Sequence, residues 1–136
     1  MVDQNVSFAN VEFELETRED IDGLLECLGE NIDISHHRQL ENGIDFVSFR
    51  LRESYETPEA VIAELCSLVE KLPSHARSIW DGCEVRRFDI GFESGNTNLA
   101  ICTEIKHGTI NRVSGIGGSL AITIYPVSPS WQIIRS

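Results

Sequence analysis

Six residues, Val11-Glu12-Phe13-Glu14-Leu15-Glu16, alternate strictly between apolar and acidic. That period of two suits an extended strand with one buried face, and no helix can satisfy it. The pattern predicts a strand over residues 6–16, and the strand requires an apolar layer to lie against. Segments of helical period provide one. Ile21, Leu24, Leu25 and Leu28 recur at helical spacing, with Thr17 placed to cap, Asp20 in the capping-box position and Gly29 as the stop. Thr57-Pro58-Glu59 opens a second helix: threonine caps, proline costs no hydrogen bond in the first turn, and glutamate suits the positive end of the dipole. Val61, Ile62, Leu65, Leu68, Val69 and Leu72 form its apolar stripe, and Pro73 ends it. A shorter helical segment from Ser74 to Gly82 turns Ile79 and Trp80 inward.

The remaining chain reads mostly as strands. Residues 31–40 form a sparse one anchored by Ile32 and Ile34, and Asn42-Gly43 signals a two-residue hairpin turn. Over 44–52, Val47, Phe49 and Leu51 share one face, against Ile44, Phe46, Ser48, Arg50 and Arg52. Over 84–93, Phe88, Ile90 and Phe92 oppose Arg87, Asp89, Gly91 and Glu93. Leu99, Ile101 and Thr103 begin a fifth strand, and Thr109 caps a short helix holding Ile110, Val113 and Ile116. After Gly117-Gly118, a last strand places Leu120, Ile122 and Ile124 inward. Pro126 and Pro129 stop it, leaving 126–136 as an irregular tail in which Trp131 and Ile133 need burial. This order predicts an α+β fold: a single, mostly antiparallel sheet with helices packed on one face. A split β-α-β arrangement would give it a ferredoxin-like core with additions. No linker, repeat or low-complexity stretch interrupts the chain, so residues 1–136 are read as one domain.

Charge narrows the classes of partner. Residues 1–70 hold seventeen acidic side chains against four arginines and no lysine, a balance of −13. Residues 71–136 stand at +2, and the whole chain at −11. A concentrated negative field repels nucleic acid and anionic membrane, and it attracts a basic protein. No apolar run approaches the ~20 residues that span a bilayer. The opening Met1-Val2-Asp3-Gln4-Asn5 has neither the charge nor the apolar stretch of a signal peptide, so the expected location is cytoplasmic. Cys27, Cys66, Cys83 and Cys102 form no CxxC pair, which agrees with a reducing compartment. Cys27 and Cys66 lie among leucines and are read as small buried apolar residues.

Reactive constellations are scarce. His36 and His37 are adjacent, so on a strand they point to opposite faces and cannot chelate one ion. His75 and His107 stand near turns without a ligand set, and neither a metal nor a cofactor is expected. Gly82-Cys83-Glu84 lacks a nucleophile elbow. Val113-Ser114-Gly115-Ile116-Gly117-Gly118 follows a helix and precedes a strand, the reverse of a phosphate loop, and reads as a helix stop with a tight turn. Asp89 and Glu93 share a strand face ~13 Å apart, wider than the ~5–9.5 Å of paired glycosidase carboxylates. Arg87 beside Asp89 is expected to form a surface ion pair. A small enzyme or ligand-binding domain around these three residues is therefore a minor alternative to a non-catalytic protein.

Two acidic stripes remain. Glu12, Glu14 and Glu16 repeat every ~6.6 Å along one strand face. They are either compensated by Arg50, Arg52, Arg86 or Arg87 on adjacent strands or held for a partner. Glu19, Asp22, Glu26 and Glu30 line a helix without any lysine, and serve either solubility or binding. The first stripe, joined to Asp33, Glu41 and Asp45, makes a candidate partner-binding surface, for which Phe46 and Tyr55 are candidate aromatic anchors.

From Leu72 onward, Ile79-Trp80-Asp81-Gly82-Cys83, Phe88-Asp89-Ile90-Gly91-Phe92 and Leu120-Ala121-Ile122-Thr123-Ile124-Tyr125-Pro126 resemble small bacterial domains of uncharacterised function. Some of these are similar to the immunity partners of polymorphic or contact-dependent growth-inhibition toxins. The resemblance implies a non-catalytic protein that neutralises a basic toxin domain, such as a nuclease, by stoichiometric binding through its acidic surface. A homo-oligomeric structural or scaffold domain is the alternative, using Phe46 and Tyr125 on an open sheet face.

Overall fold

The computed structural model describes residues 3–127 and 134. Its strands are β1 (Ser7–Thr17), β2 (Ile32–Gln39), β3 (Asp45–Leu51), β4 (Val85–Glu93) and β5 (Ser119–Tyr125), forming one sheet in the order β2-β3-β1-β4-β5. The helices are α1 (Asp22–Leu28), α2 (Pro58–Glu70), α3 (Ser74–Asp81) and α4 (His107–Gly115), with a 3₁₀ turn at Gly29–Asn31. Three strand pairings are antiparallel, and only β4 with β5 is parallel. The first four strands with α1 and α2 have the split β-α-β order of a ferredoxin-like core. To it α3 is inserted ahead of β4, and the α4–β5 unit extends the sheet by one strand.

The period of two in β1 decides where the core lies. Val11, Phe13 and Leu15 are fully buried, and Phe13 sits between Phe49 and Phe88 at ring separations of 5.4 and 5.1 Å. The Phe13–Phe88 contact is edge-to-face, the arrangement ring quadrupoles favour. Leu24, Leu65, Trp80 and Val113 bring all four helices onto that face. The Trp80 indole donates to the Ile116 carbonyl at 2.8 Å, so even this large ring is satisfied where it is buried. Thr57 caps α2 as expected, its hydroxyl accepting the Ala60 N–H at 3.2 Å.

Several local expectations are corrected. Thr17 does not cap α1. It is the buried last residue of β1 and accepts the Glu19 N–H, while the Asp20 carboxylate takes the Asp22 N–H where the helix begins. The β2–β3 hairpin closes through three residues rather than two. Gly43 donates to Leu40 and adopts φ +80°, a left-handed conformation that glycine reaches without a Cβ penalty. Thr109 lies inside the first turn of α4, whose N-cap is Lys106. The Glu59 carboxylate, reaching across from α2, accepts both the Lys106 N–H at 2.8 Å and the Thr109 hydroxyl at 2.6 Å.

No strand forms at Leu99, Ile101 and Thr103, which have no regular structure, because Ser119–Tyr125 takes the free edge of β4. Leu120, Ile122 and Ile124 do lie on the helix side, paired with Phe88, Ile90 and Phe92, yet they stay exposed at 42%, 66% and 66%. β5 is outermost, and α4 packs on α2 rather than over it. Cys27 is exposed, its sulfur 3.7 Å from His75 Nε2, whereas Cys66 is buried as expected. Pro126 and Val127 carry no helix or strand; Trp131 and Ile133 fall outside the described residues. Among the described residues, no helix is long and apolar enough to cross a membrane.

Candidate functional site

The face of the sheet away from the helices carries the polar half of every strand. Register sets its rows. Glu16 stands between Phe46 and Val85, and Glu14 between Ser48 and Arg87, while Glu12 lies beside Asp89. On the outer strand, Asp33, His36 and Arg38 continue this face opposite Arg50, Ser48 and Phe46. Across the paired positions, six carboxylates (Glu12, Glu14, Glu16, Asp33, Asp89 and Glu93) face outward with three arginines (Arg38, Arg50 and Arg87).

The three β1 glutamates are not equivalent. Glu14 is tied to Arg87 at 3.1 Å and is the least exposed of the pair, its side chain 13% accessible. It belongs to a polar row running from His36, which meets the buried Ser48 hydroxyl at 3.3 Å, to Ser119 on β5. Glu12 and Glu16 form no ion pair among the described residues. Of the four arginines weighed as compensators, only Arg87 reaches this stripe. Arg52 pairs with Asp33 at 3.0 Å. Arg86 turns to the helix side and donates to the carbonyls of Trp80, Asp81, Cys83 and Gly117, gathering the C-terminal ends of α3 and α4 onto one cation. The ion pair expected between Arg87 and Asp89 does not form. Asp89 instead accepts the Thr123 hydroxyl, with its two oxygens at 2.8 and 2.9 Å.

Aromatic groups flank the free carboxylates. Phe46 lies beside Glu16, with the Arg38 guanidinium 5.4 Å from its ring centre. On the other flank, the Tyr125 ring lies over Gly91, where a Cβ would come within 3.3 Å of the ring and of the Asn10 carbonyl. Burial first, then the negative charge of Asp89, Glu12 and Glu14, raises the Tyr125 phenol above its ordinary value. The ring thus closes one end of the acidic row and feels its field.

Of the residues singled out from the sequence, Glu12, Glu14, Glu16, Asp33 and Phe46 share this face. Glu41 is at the hairpin turn, and Asp45 faces the helix side opposite buried Thr17. Tyr55 follows β3, its hydroxyl donating to Glu53 at 3.3 Å, and lines a cleft of about 370 Å³ with Asp33, Arg50 and Arg52. Its phenol is raised by burial, then by Glu64 and Glu53. The roles of Ser48 and Thr123, and which of the four arginines meets Glu14, were not legible beforehand, because each depends on cross-strand register. Among the described residues, no group of three or more His, Cys, Asp or Glu is placed to hold a metal ion. Compared with family models, curated proteins and solved structures, the chain finds no match in any of the three.

Proposed function

We propose that the protein is a non-catalytic binding domain that recognises a basic protein through the β1 side of its open sheet face. In keeping with the resemblance of its second half, that partner is a toxin domain of a bacterial growth-inhibition system, neutralised by stoichiometric binding in the cytoplasm. One observation carries the reading. Among the described residues, Glu12 and Glu16 are aligned without ion pairs on either side of a neutralised Glu14, between Phe46 and Tyr125. Glu12 stands directly opposite Asp89, a like-charge pair that costs the folded chain something, and a cationic partner would return that energy on docking. The surplus acidity of residues 1–70 speeds the encounter, since opposite charge raises association toward ~10⁸ M⁻¹s⁻¹ at low salt. Phe46 and Tyr125 provide the apolar anchors that slow dissociation.

The test is co-expression with the products of the neighbouring reading frames, scoring growth and one-to-one co-purification. A neighbour that kills alone, is rescued by this chain and co-purifies supports the reading. The double variant Glu12→Lys/Glu16→Lys should then lose rescue while keeping its melting temperature. Unchanged rescue in that variant discards the surface, and the absence of any toxic neighbour discards the immunity role.

A further inference from the structure

The two edges of the sheet are finished differently. β2 is guarded: it carries Asp33, His36, His37 and Arg38, and its register shifts between Ile34 and His36, both of which discourage pairing with another chain. β5 has no such guard. Ser119–Tyr125 contains no charged residue and no proline, its pairing with β4 runs without interruption, and among the described residues no strand pairs with its outer side. Ile122 and Ile124, each two-thirds exposed, and Leu120, at 42%, stand on the helix side.

We propose that two copies of this chain associate through β5, antiparallel and edge to edge, joining their sheets into one. Charge selects a second copy as the occupant. The chain is −11 overall, so two copies repel over most of their surfaces. The sequence from Val113 to Ile134 contains no Asp, Glu, Lys or Arg, and the strand order sets β5 at the edge farthest from β2 and β3 of the acidic half. This edge is where like can meet like. The strand is also self-complementary. A two-fold axis at Ile122 pairs that residue with its own copy and Leu120 with Ile124, continuing one apolar row; on the open face it pairs Ala121 with Thr123. The same axis sets Tyr125 opposite Ser119 of the second copy, so the two surfaces meet at Tyr125, while Glu12 and Glu16, two strands away on β1, stay uncovered and tell them apart.

Sedimentation of the full-length chain from about 1 to 100 μM should show a concentration-dependent dimer. Ile122→Lys, at an exposed position, should weaken dimerisation on the order of tenfold or more with the melting temperature kept. Ile122→Cys, made with Cys27→Ser and Cys102→Ser, should cross-link readily as a dimer, because the axis brings the two substituted Cα atoms to about 4.5–5.5 Å. A wild-type monomer throughout that range overturns the proposal. If β5 amides are nevertheless protected from exchange in that monomer, the chain's own residues beyond Val127 are the occupant instead. A dimer unaffected by Ile122→Lys overturns it equally. Loss of toxin rescue in Glu12→Lys/Glu16→Lys with the dimer intact separates this surface from the other.

Discussion

The two faces of the sheet are built from the same strands at alternating positions, and they obey different physics. On the helix side Val11, Phe13 and Leu15 are fully buried, and their contribution scales with apolar area and close fit. On the open side Glu12, Glu14 and Glu16 are only partly buried, and only Glu14 has an ion-pair partner among the described residues. One residue's step along β1 thus separates a position that holds the fold from one available for recognition. Polar anchors on the covered side are few and highly connected, as Arg86 and Trp80 show. Those on the open side act in isolated pairs, such as Asp89 with Thr123.

That contrast predicts a ranking of effects. Phe13→Ala, which removes the ring between Phe49 and Phe88, should cost about 3–5 kcal/mol, read as a lower urea midpoint. A loss near that of a surface substitution would mean the aromatic cluster is not the centre of the fold. Arg86→Met keeps the aliphatic stem but leaves carbonyls at the ends of α3 and α4 without their donor. It should cost about 1–3 kcal/mol by the same measurement.

Burial pushes the Cys66 and Cys83 thiols up to about 11 from an ordinary 9.0. The unfolded chain therefore sheds these protons first, so the stabilisation they give is complete below pH 9 and lost as pH rises from 9 to 11. Urea titrations across that window should show a decline of up to about 2 kcal/mol per thiol, and Cys66→Ala/Cys83→Ala should flatten its slope. The smallest effect belongs to the open face. Glu12→Gln/Glu16→Gln should change stability by no more than about 0.5 kcal/mol while abolishing attraction to a cationic protein. A large destabilisation would show that these carboxylates serve the fold.

The covered face was legible before the structure because its signals are local. Strict alternation in β1, the Thr57-Pro58 cap and the helical stripe from Val61 to Leu72 each depend on residues a few positions apart. The open face was legible only as composition. Which arginine meets Glu14, and that Asp89 turns to Thr123, follows from the register of β1 and β5 on β4, and those pairings join residues distant in sequence. Cys27 misled for a similar reason: leucines surround it in sequence, but a seven-residue helix leaves its side exposed.

By itself, the sequence determined the strands and helices that alternation and capping encode, the burial of Phe13, Leu65 and Trp80, and the acidity of the first half. Tertiary structure alone decided that β5, rather than residues 99–103, extends the sheet beside β4. It also decided that Leu120, Ile122 and Ile124 remain exposed and that Glu12 and Glu16 are left without ion pairs among the described residues. Local patterns specify which face of an element is apolar; only the packing of distant segments specifies what, if anything, covers it.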